Sequence, residues 1–181
     1  MWPDAEGRPR ITIGPNWAFT ICLGFVVCGV FYTSSTALYG MYRKEADWYY
    51  LVLGLVIILV GLWSFLQTFL GDPGIPAEIY RRKARPFAKL PQLPPTNEQG
   101  HKLCDRCQVY AMPYREHCDL CDVCIDNLDH HCVFYSKCIG GGNIIYFRLS
   151  MVMFVLNMTY FIIAFGFVTL KKSTNAHPKL L

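Results

Sequence analysis

Residues 104–138 read CDRCQVYAMPYREHCDLCDVCIDNLDHHCVFYSKC and contain two cysteine pairs at C-x2-C spacing, Cys104/Cys107 and Cys118/Cys121. Two thiolates at this spacing can hold one zinc ion from a tight turn. Each pair needs two more ligands for a tetrahedral site, and the stretch offers four candidates: His117, Cys124, His131 and Cys138. The stretch therefore predicts two structural zinc sites in which every coordination position is held by the protein.

One cysteine of this stretch, Cys132, has no metal to bind once both sites are filled. Asp129 and His130 stand just before it in the chain. A thiol becomes a good nucleophile when a neighbouring base takes its proton. We therefore predict Cys132 as a nucleophile, His130 as its base, and Asp129 as the group that orients the imidazole.

The cysteine count also bears on the redox state of the protein. A disulfide framework is the alternative interpretation, but the chain has nine cysteines, an odd number, and repeated C-x2-C spacing is typical of metal sites. Zinc-bound thiolates and a free thiol indicate a reducing compartment for this segment. Because each site of three thiolates and one histidine carries one negative charge, two sites lower the formal net charge from +4 to +2.

Aliphatic and aromatic residues cluster in three long blocks, 17–39, 48–70 and 148–170, and the first two contain no charged residue. As a helix, each block is long enough to cross a hydrocarbon core of ~30 Å. Tryptophan and tyrosine lie near block ends, as in an interfacial aromatic belt. We therefore predict an α-helical integral membrane protein with three transmembrane helices in the lipid bilayer. The zinc module, made of short hairpins and knuckles, lies between spans two and three.

Composition divides the chain into segments. They are an N-terminal segment (1–16), a transmembrane hairpin (17–70), a proline-rich basic linker (71–100), a cysteine-rich zinc module (101–147), the third helix (148–170) and a C-terminal tail (171–181). The linker carries a basic cluster, Arg81–Arg85, just after a predicted membrane end. This cluster is either a topology signal with solvated side chains or a contact for anionic lipid headgroups or a nucleotide phosphate.

The distribution of lysine and arginine predicts the orientation in the membrane. The segment 71–143 holds nine of these residues, whereas the loop between spans one and two holds only Arg43 and Lys44. The positive-inside rule then places the zinc module and the N-terminus in the cytoplasm, with the C-terminus opposite. We expect an endomembrane location (ER or Golgi), with the mitochondrial inner membrane as the alternative.

The ligand order, the Asp-His-His-Cys tetrad and the flanking apolar blocks together resemble the DHHC family of protein S-acyltransferases (palmitoyltransferases). The resemblance covers about 45 residues without a gap, and Asp72-Pro73-Gly74 matches a further short motif of the family. The matching residues are Cys104, Cys107, Pro113, Arg115, His117, Cys118, Cys121, Cys124, Asp129, His130, His131, Cys132, Cys138, Gly140, Asn143 and Phe147.

The resemblance implies a division of the ligands and a role for the remaining thiol. One zinc ion would take Cys104, Cys107, His117 and Cys124, and the other would take Cys118, Cys121, His131 and Cys138. Cys132 would be the residue that is acylated, with acyl-CoA (palmitoyl-CoA) as the donor and a protein cysteine as the acceptor. The activity implied is that of a protein-cysteine S-palmitoyltransferase.

The chain departs from the family pattern after the tetrad. The family usually has Pro-Trp there and an asparagine before the next cysteine, whereas this chain has Val133, Phe134 and Lys137. The family also has four or more spans and a TTxE motif, which this chain does not match. A non-catalytic zinc-binding membrane subunit, with helix partners in a larger assembly, is therefore the alternative to the enzyme. Nucleic-acid binding is not expected, because apolar blocks bracket the module and its basic residues are few.

Overall fold

The computed structural model describes residues 11–42, 48–83 and 93–176. The helices are α1 (Trp17–Tyr42), α2 (Trp48–Leu70), α3 (Ala77–Lys83) and α4 (Ile144–Ala176). The strands are β1 (Leu103–Cys104), β2 (Val109–Tyr110), β3 (Arg115–Cys118), β4 (Val123–Asp126), β5 (His130–Cys132) and β6 (Lys137–Ile139). The loop with Arg43 and Lys44, linker residues 84–92 and the ends 1–10 and 177–181, all used in the predictions above, lie outside the described residues.

The described residues form two compact units. The first joins the segment up to Ile21 with Phe65–Phe147, and it contains the end of α2, the linker, all six strands and the first turn of α4. The second joins Cys22–Ser64 with the remainder of α4 from Arg148. Every predicted zinc ligand and Cys132 therefore lie in the first unit.

All three predicted blocks are helical, and two of these helices are long and apolar enough to cross a membrane. These are α2 along its whole length and the Ile144–Gly166 part of α4. In α1 the apolar stretch Trp17–Thr33 is shorter. Helix α4 begins at Ile144, four residues before the predicted third block, directly after the turn 140–143 that follows β6.

The cysteine-rich module is a series of three two-stranded antiparallel hairpins: β1–β2, β3–β4 and β5–β6. The same register recurs every 14 residues, because the pairs Cys104↔Val109, Cys118↔Val123 and Cys132↔Lys137 occupy equivalent positions. The turns are also equivalent, with left-handed φ values of 55°, 50° and 55° at Gln108, Asp122 and Ser136. The module is therefore one hairpin unit used three times.

The turn Asp72-Pro73-Gly74 after α2 binds the module. The Asp72 carboxylate accepts hydrogen bonds from the backbone N–H groups of Gly74 (2.7 Å) and Ile75 (2.8 Å), which closes the turn. The Gly74 carbonyl then accepts from the Asp126 N–H at 2.8 Å, and the Gly142 N–H donates to the Pro73 carbonyl at 3.1 Å. These backbone bonds join the end of α2 to the β3–β4 hairpin and to the loop before α4.

A partly buried ion pair lies across the open end of the β3–β4 hairpin. Arg115 and Asp126 face each other in the register, and the guanidinium Nε and Nη2 donate to the two carboxylate oxygens at 2.6 and 3.3 Å. The Arg115 side chain is only 8% exposed. A two-point contact of this kind is stronger and more specific than a single bond.

We predict that Arg115→Met destabilises the zinc-loaded module by about 2 kcal/mol, because it removes a two-point charge-assisted contact and leaves the partly exposed Asp126 carboxylate without its partner. Thermal unfolding of the detergent-solubilised protein measures the change. Arg106→Met is the matched control: Arg106 also meets a carboxylate, Asp122 at 3.0 Å, but the two side chains are 61% and 68% exposed. Water screens such a pair, so the control should melt like the wild type. Equal effects of the two substitutions would contradict the assignment.

Candidate functional site

Four cysteine or histidine side chains converge at each of two points in the module. One cluster holds Cys104, Cys107, His117 and Cys124, and the other holds Cys118, Cys121, His131 and Cys138. Within each cluster all ligand atoms lie within 4.8 Å of one another. In each case a tight turn supplies the C-x2-C pair and the following hairpin supplies the histidine and the third cysteine.

The distances inside the clusters fit tetrahedral zinc. The Nδ1 atom of His117 lies 3.5, 3.4 and 3.7 Å from the Sγ atoms of its three cysteines. The Nδ1 atom of His131 lies 3.6, 3.3 and 3.8 Å from those of the other set. Zn–S bonds of about 2.3 Å and Zn–N bonds of about 2.0 Å give a tetrahedral S···N edge of roughly 3.5 Å. Both clusters therefore suit one zinc ion each, with Nδ1 as the histidine ligand atom.

The acidity of the clustered thiols also favours a bound cation. A hydrogen bond from Cys138 lowers the pKa of Cys121 to about 5, and the same contact raises the pKa of Cys138 above its ordinary value. In the other cluster, burial and then the bond to Cys107 raise the pKa of Cys124. One thiolate forms easily in such a cluster, but the next is opposed by the first. A divalent cation removes this repulsion, because it stabilises all the thiolates together.

Cys132 lies outside both clusters, although it occupies the hairpin position of Cys104 and Cys118. In the first two hairpins a second cysteine follows after two residues, but in the third hairpin Tyr135 stands at that position. Cys132 is 7% exposed and packs with Phe69, Tyr135 and Ile139. The third hairpin therefore holds its thiol in the geometry of a zinc knuckle, without the partner that a metal would need.

Side chains alternate between the two faces of strand β5, which places the metal ligand His131 on the face opposite His130 and Cys132. Neighbouring residues of a strand point to opposite faces, so His130 and Cys132 share one face while His131 points to the other. Asp129 Oδ2 lies 2.7 Å from His130 Nδ1, and since a carboxylate only accepts, Nδ1 carries the proton. The other ring nitrogen, Nε2, is then the basic one, and the edge of the imidazole meets Phe147 with ring centroids 5.3 Å apart.

Comparison with known proteins agrees with this geometry. Residues 97–180 match the family described as DHHC palmitoyltransferase. Palmitoyltransferase ERF2 of Kluyveromyces lactis is 29% identical over 154 residues, which is 78% of this chain. Palmitoyltransferase ZDHHC9 of Danio rerio is 28% identical over 169 residues (82% of this chain), and ZDHHC4 of Bos taurus is 28% identical over 134 residues (73%). The segment that contains both clusters and Cys132 is therefore similar to the DHHC family.

The similarity covers only part of each relative. The matched segments represent 43% of the Kluyveromyces lactis protein, 42% of the Danio rerio protein and 38% of the Bos taurus protein. This chain therefore spans less than half the length of the relatives it matches. The match includes both metal clusters and the Asp129–Cys132 tetrad.

One polar residue near Cys132, Lys137, was not recognised in the sequence as a candidate functional residue. It is 3% exposed, and its ammonium group contacts backbone and side-chain oxygens of Thr12, Phe69 and Gly71. Burial lowers the pKa of Lys137 to about 8, so the ammonium is still mostly protonated at pH 7. The 14-residue repeat carried a signal for it, because valine occupies the equivalent positions 109 and 123.

We predict that the purified protein contains two zinc equivalents and that Cys121→Ser reduces this number to one or fewer, since structural zinc and module folding are coupled. Cys132→Ser is the control and should retain both ions. Elemental analysis gives the count, and the absorption spectrum of the cobalt-substituted protein reports thiolate coordination. Loss of a metal equivalent from Cys132→Ser would show that this thiol is a ligand and that the division of the clusters is wrong.

Proposed function

We propose that this chain is a protein S-acyltransferase that moves a fatty acyl group from acyl-CoA, through Cys132, to a cysteine of another protein. The observation that supports this most is the position of Cys132: a buried thiol outside both metal clusters, on the same strand face as His130, whose Nδ1 lies 2.7 Å from Asp129. The relatives are named palmitoyltransferases, and palmitoyl-CoA is therefore the donor we expect.

The first half-reaction loads the enzyme. Nε2 of His130 takes the proton of the Cys132 thiol, and Asp129 holds the imidazole in the tautomer that makes Nε2 basic. The thiolate attacks the carbonyl carbon of the acyl-CoA thioester and forms a new C–S bond. The C–S bond to coenzyme A breaks, and the departing thiolate recovers the proton from the imidazolium.

The second half-reaction transfers the acyl group. His130 again takes a proton, this time from the thiol of the substrate protein, and the resulting thiolate attacks the acyl-Cys132 thioester. Cys132 leaves as a thiolate and is reprotonated by the imidazolium, so the enzyme returns to its starting state. One thioester is exchanged for another in each step, and no oxidant or reductant is needed.

The metal clusters serve this chemistry indirectly. Each cluster has four protein ligands and no position for water or substrate, as in structural zinc sites. His131 and Cys138 face each other in the β5–β6 hairpin, next to Cys132 and Lys137 respectively. When zinc is bound it supplies structure, because the ligands hold the two strands that carry the thiol.

The surroundings of Cys132 suit an acyl chain. Phe69, Tyr135 and Ile139 pack with it, and Tyr135 lies between two further rings: its centroid is 5.2 Å from that of Phe65 and 5.8 Å from that of Phe147. This apolar cluster adjoins the end of α2, where a lipid tail can follow the helix. A thiol beside the end of α2 would lie near the membrane surface. It could then contact a lipid tail on the membrane side and a water-soluble coenzyme A headgroup on the other side.

The proposed function requires a membrane, and the surface of the apolar helices supports one. Only 22% of the apolar window of α2 and 17% of that of α4 are buried within the protein. Leu59, Ile162 and Ile163 are 56%, 67% and 66% exposed. Large exposed apolar surfaces of this kind suit hydrocarbon. We propose that α1, α2 and α4 all cross an endomembrane, with the hairpin module in the cytoplasm as the positive-inside rule expects.

The retained site favours the enzyme over a non-catalytic subunit. Asp129, His130 and Cys132 are all present, and the departures Val133 and Phe134 lie in the turn that follows them. Both of these turn residues are 57% exposed. An aromatic side chain at position 134 keeps an apolar surface beside the thiol, in the place of the tryptophan that the family usually has.

We predict that incubation with palmitoyl-CoA gives a hydroxylamine-labile adduct on Cys132, and that Cys132→Ser abolishes it. His130→Gln should slow its formation by on the order of 100-fold, since a positioned general base contributes about that factor or more. Intact-mass spectrometry of the full chain provides the measurement. Cys22→Ser removes an exposed cysteine of α1 that belongs to neither metal cluster, and it should behave like the wild type. An adduct that persists in Cys132→Ser, or its absence from the wild type, would contradict the proposed function.

A second prediction concerns orientation. In sealed microsomes with the cytoplasmic face outward, trypsin should cut the linker after Arg81 or Arg82 without detergent. A tag fused after residue 181 should resist protease until detergent is added, because three spans place it in the lumen. Immunoblotting of both fragments reads the result. Cleavage of the linker and the tag together in sealed vesicles would rule out the three-span arrangement.

A further inference from the structure

We infer that Lys137 is a positioning residue, which clamps the hairpin carrying Cys132 to the end of α2 and to the N-terminal segment Ile11–Asn16. The inference builds on the proposed acyltransferase function, since it concerns the thiol of that site. Lys137 holds no metal and, in the described contacts, touches neither Asp129 nor His130. Its role is to place the hairpin, so that Cys132 stays where its base and its substrate can reach it.

The ammonium group of Lys137 is surrounded by oxygen atoms. Nζ donates to the carbonyl oxygens of Gly71 (2.5 Å), Thr12 (2.9 Å) and Phe69 (3.1 Å) and to the hydroxyl of Thr12 (2.7 Å). Three N–H donors thus serve four acceptors from two separate parts of the chain. The Phe69 and Gly71 carbonyls belong to the end of α2, where the negative end of the helix dipole favours a cation.

The N-terminal segment is itself attached to α2 and to the hairpin. The Thr12 N–H donates to the Leu70 carbonyl at 2.8 Å, and the Thr12 hydroxyl donates to the Gly71 carbonyl at 3.0 Å. Gly14 passes so close to the hairpin that a Cβ atom built on it would lie 1.5 Å from the Ser136 carbonyl oxygen. The segment therefore lies across the turn 133–136, and Lys137 bonds it to the helix beneath.

Cys132 depends on this clamp through the hairpin register. Cys132 and Lys137 are directly paired at the two ends of the turn, and directly opposed side chains leave the same face of a hairpin. Both are buried. A displacement of Lys137 therefore moves Cys132 with it, whereas His131 and Cys138 one step further along remain held in their metal cluster.

The repeat explains why this hairpin needs a clamp. The first two turns are fixed by C-x2-C pairs, Cys104/Cys107 and Cys118/Cys121, that meet in metal clusters. The third turn has Tyr135 in place of the second cysteine, so no metal fixes it. At the position where the other hairpins have valine, this one has a lysine whose charged end reaches the helix. The contacts of the Lys137 ammonium thus hold the third hairpin in place of metal ligation, and Cys132 does not serve as a metal ligand.

The test uses the full chain in nanodiscs with four variants. Lys137→Met removes the ammonium but keeps the chain length, Thr12→Val removes one hydroxyl at constant shape, and Thr12→Ser keeps that hydroxyl. Ile13→Ala is the control, because Ile13 is in the same segment but is 59% exposed. The measurements are zinc content, hydrogen–deuterium exchange of peptides 130–138 and 115–126, and the rate of Cys132 adduct formation over a range of palmitoyl-CoA concentrations.

We expect Lys137→Met to keep two zinc equivalents and to speed exchange in the turn 133–136 at least tenfold, with residues 115–126 unchanged. The maximal rate of adduct formation should fall by roughly 10- to 100-fold, the scale of a displacement near 1 Å, while the half-saturating palmitoyl-CoA concentration stays constant. Thr12→Val should show smaller changes in exchange and in adduct rate. Thr12→Ser keeps the hydroxyl and should behave like the wild type, as should Ile13→Ala.

Two results would overturn the inference. One is unchanged exchange at 133–136 in Lys137→Met with both zinc ions bound, which would show that the lysine fixes nothing. The other is loss of zinc from that variant, which would make Lys137 a general support of the module. A wild-type protein that forms no adduct would instead refute the proposed acyltransferase function, and the exchange measurements would still decide the role of Lys137.

Discussion

Convergence of six thiols and two imidazoles at two points is the constraint on which the rest of the module depends. The buried core of the module includes the ligands Cys118, Cys124 and Cys138 together with apolar residues such as Val109 and Ile125. Segments this small rarely bury enough apolar surface to fold alone, and metal ligation provides the missing free energy. The β3–β4 hairpin supplies ligands to both clusters. The two metal sites therefore share this hairpin, and folding of one site places ligands of the other.

The position of the thiol follows from this constraint together with the attachments to α2. The metal clusters hold the three hairpins, the Asp72-Pro73-Gly74 turn fixes the middle one to the end of the helix, and Asn143 joins the last one to it. The Asn143 amide donates to the carbonyls of Cys138 at 3.1 Å and Thr68 at 3.5 Å. The site is thus assembled from rigid parts, as a group that must meet a substrate requires.

Much of this could be predicted from the sequence, for reasons that also explain what could not. The eight ligands were recognisable because metal geometry imposes local spacing, and the helices because they are long and apolar. The hairpin strands are too short for a periodic pattern, since none is longer than four residues and two of the six contain only two. The role of Lys137 was hidden because its oxygen partners come from residues 12, 69 and 71, which are distant in the chain. The repeat marks Lys137 as unusual at its position in the strand, but it does not show which oxygen atoms surround the side chain.

The threefold hairpin unit has a consequence for how such a site can originate. Units that recur at a constant interval of 14 residues, with equal turns and equal register, suggest duplication of one ancestral metal-binding knuckle. In that history Cys132 occupies a former ligand position, and Tyr135 stands where the other hairpins have their second cysteine. Under the proposed function, the metal-site hairpin already presents a preorganised sulfur, and the absence of a second cysteine leaves that sulfur available for acyl transfer.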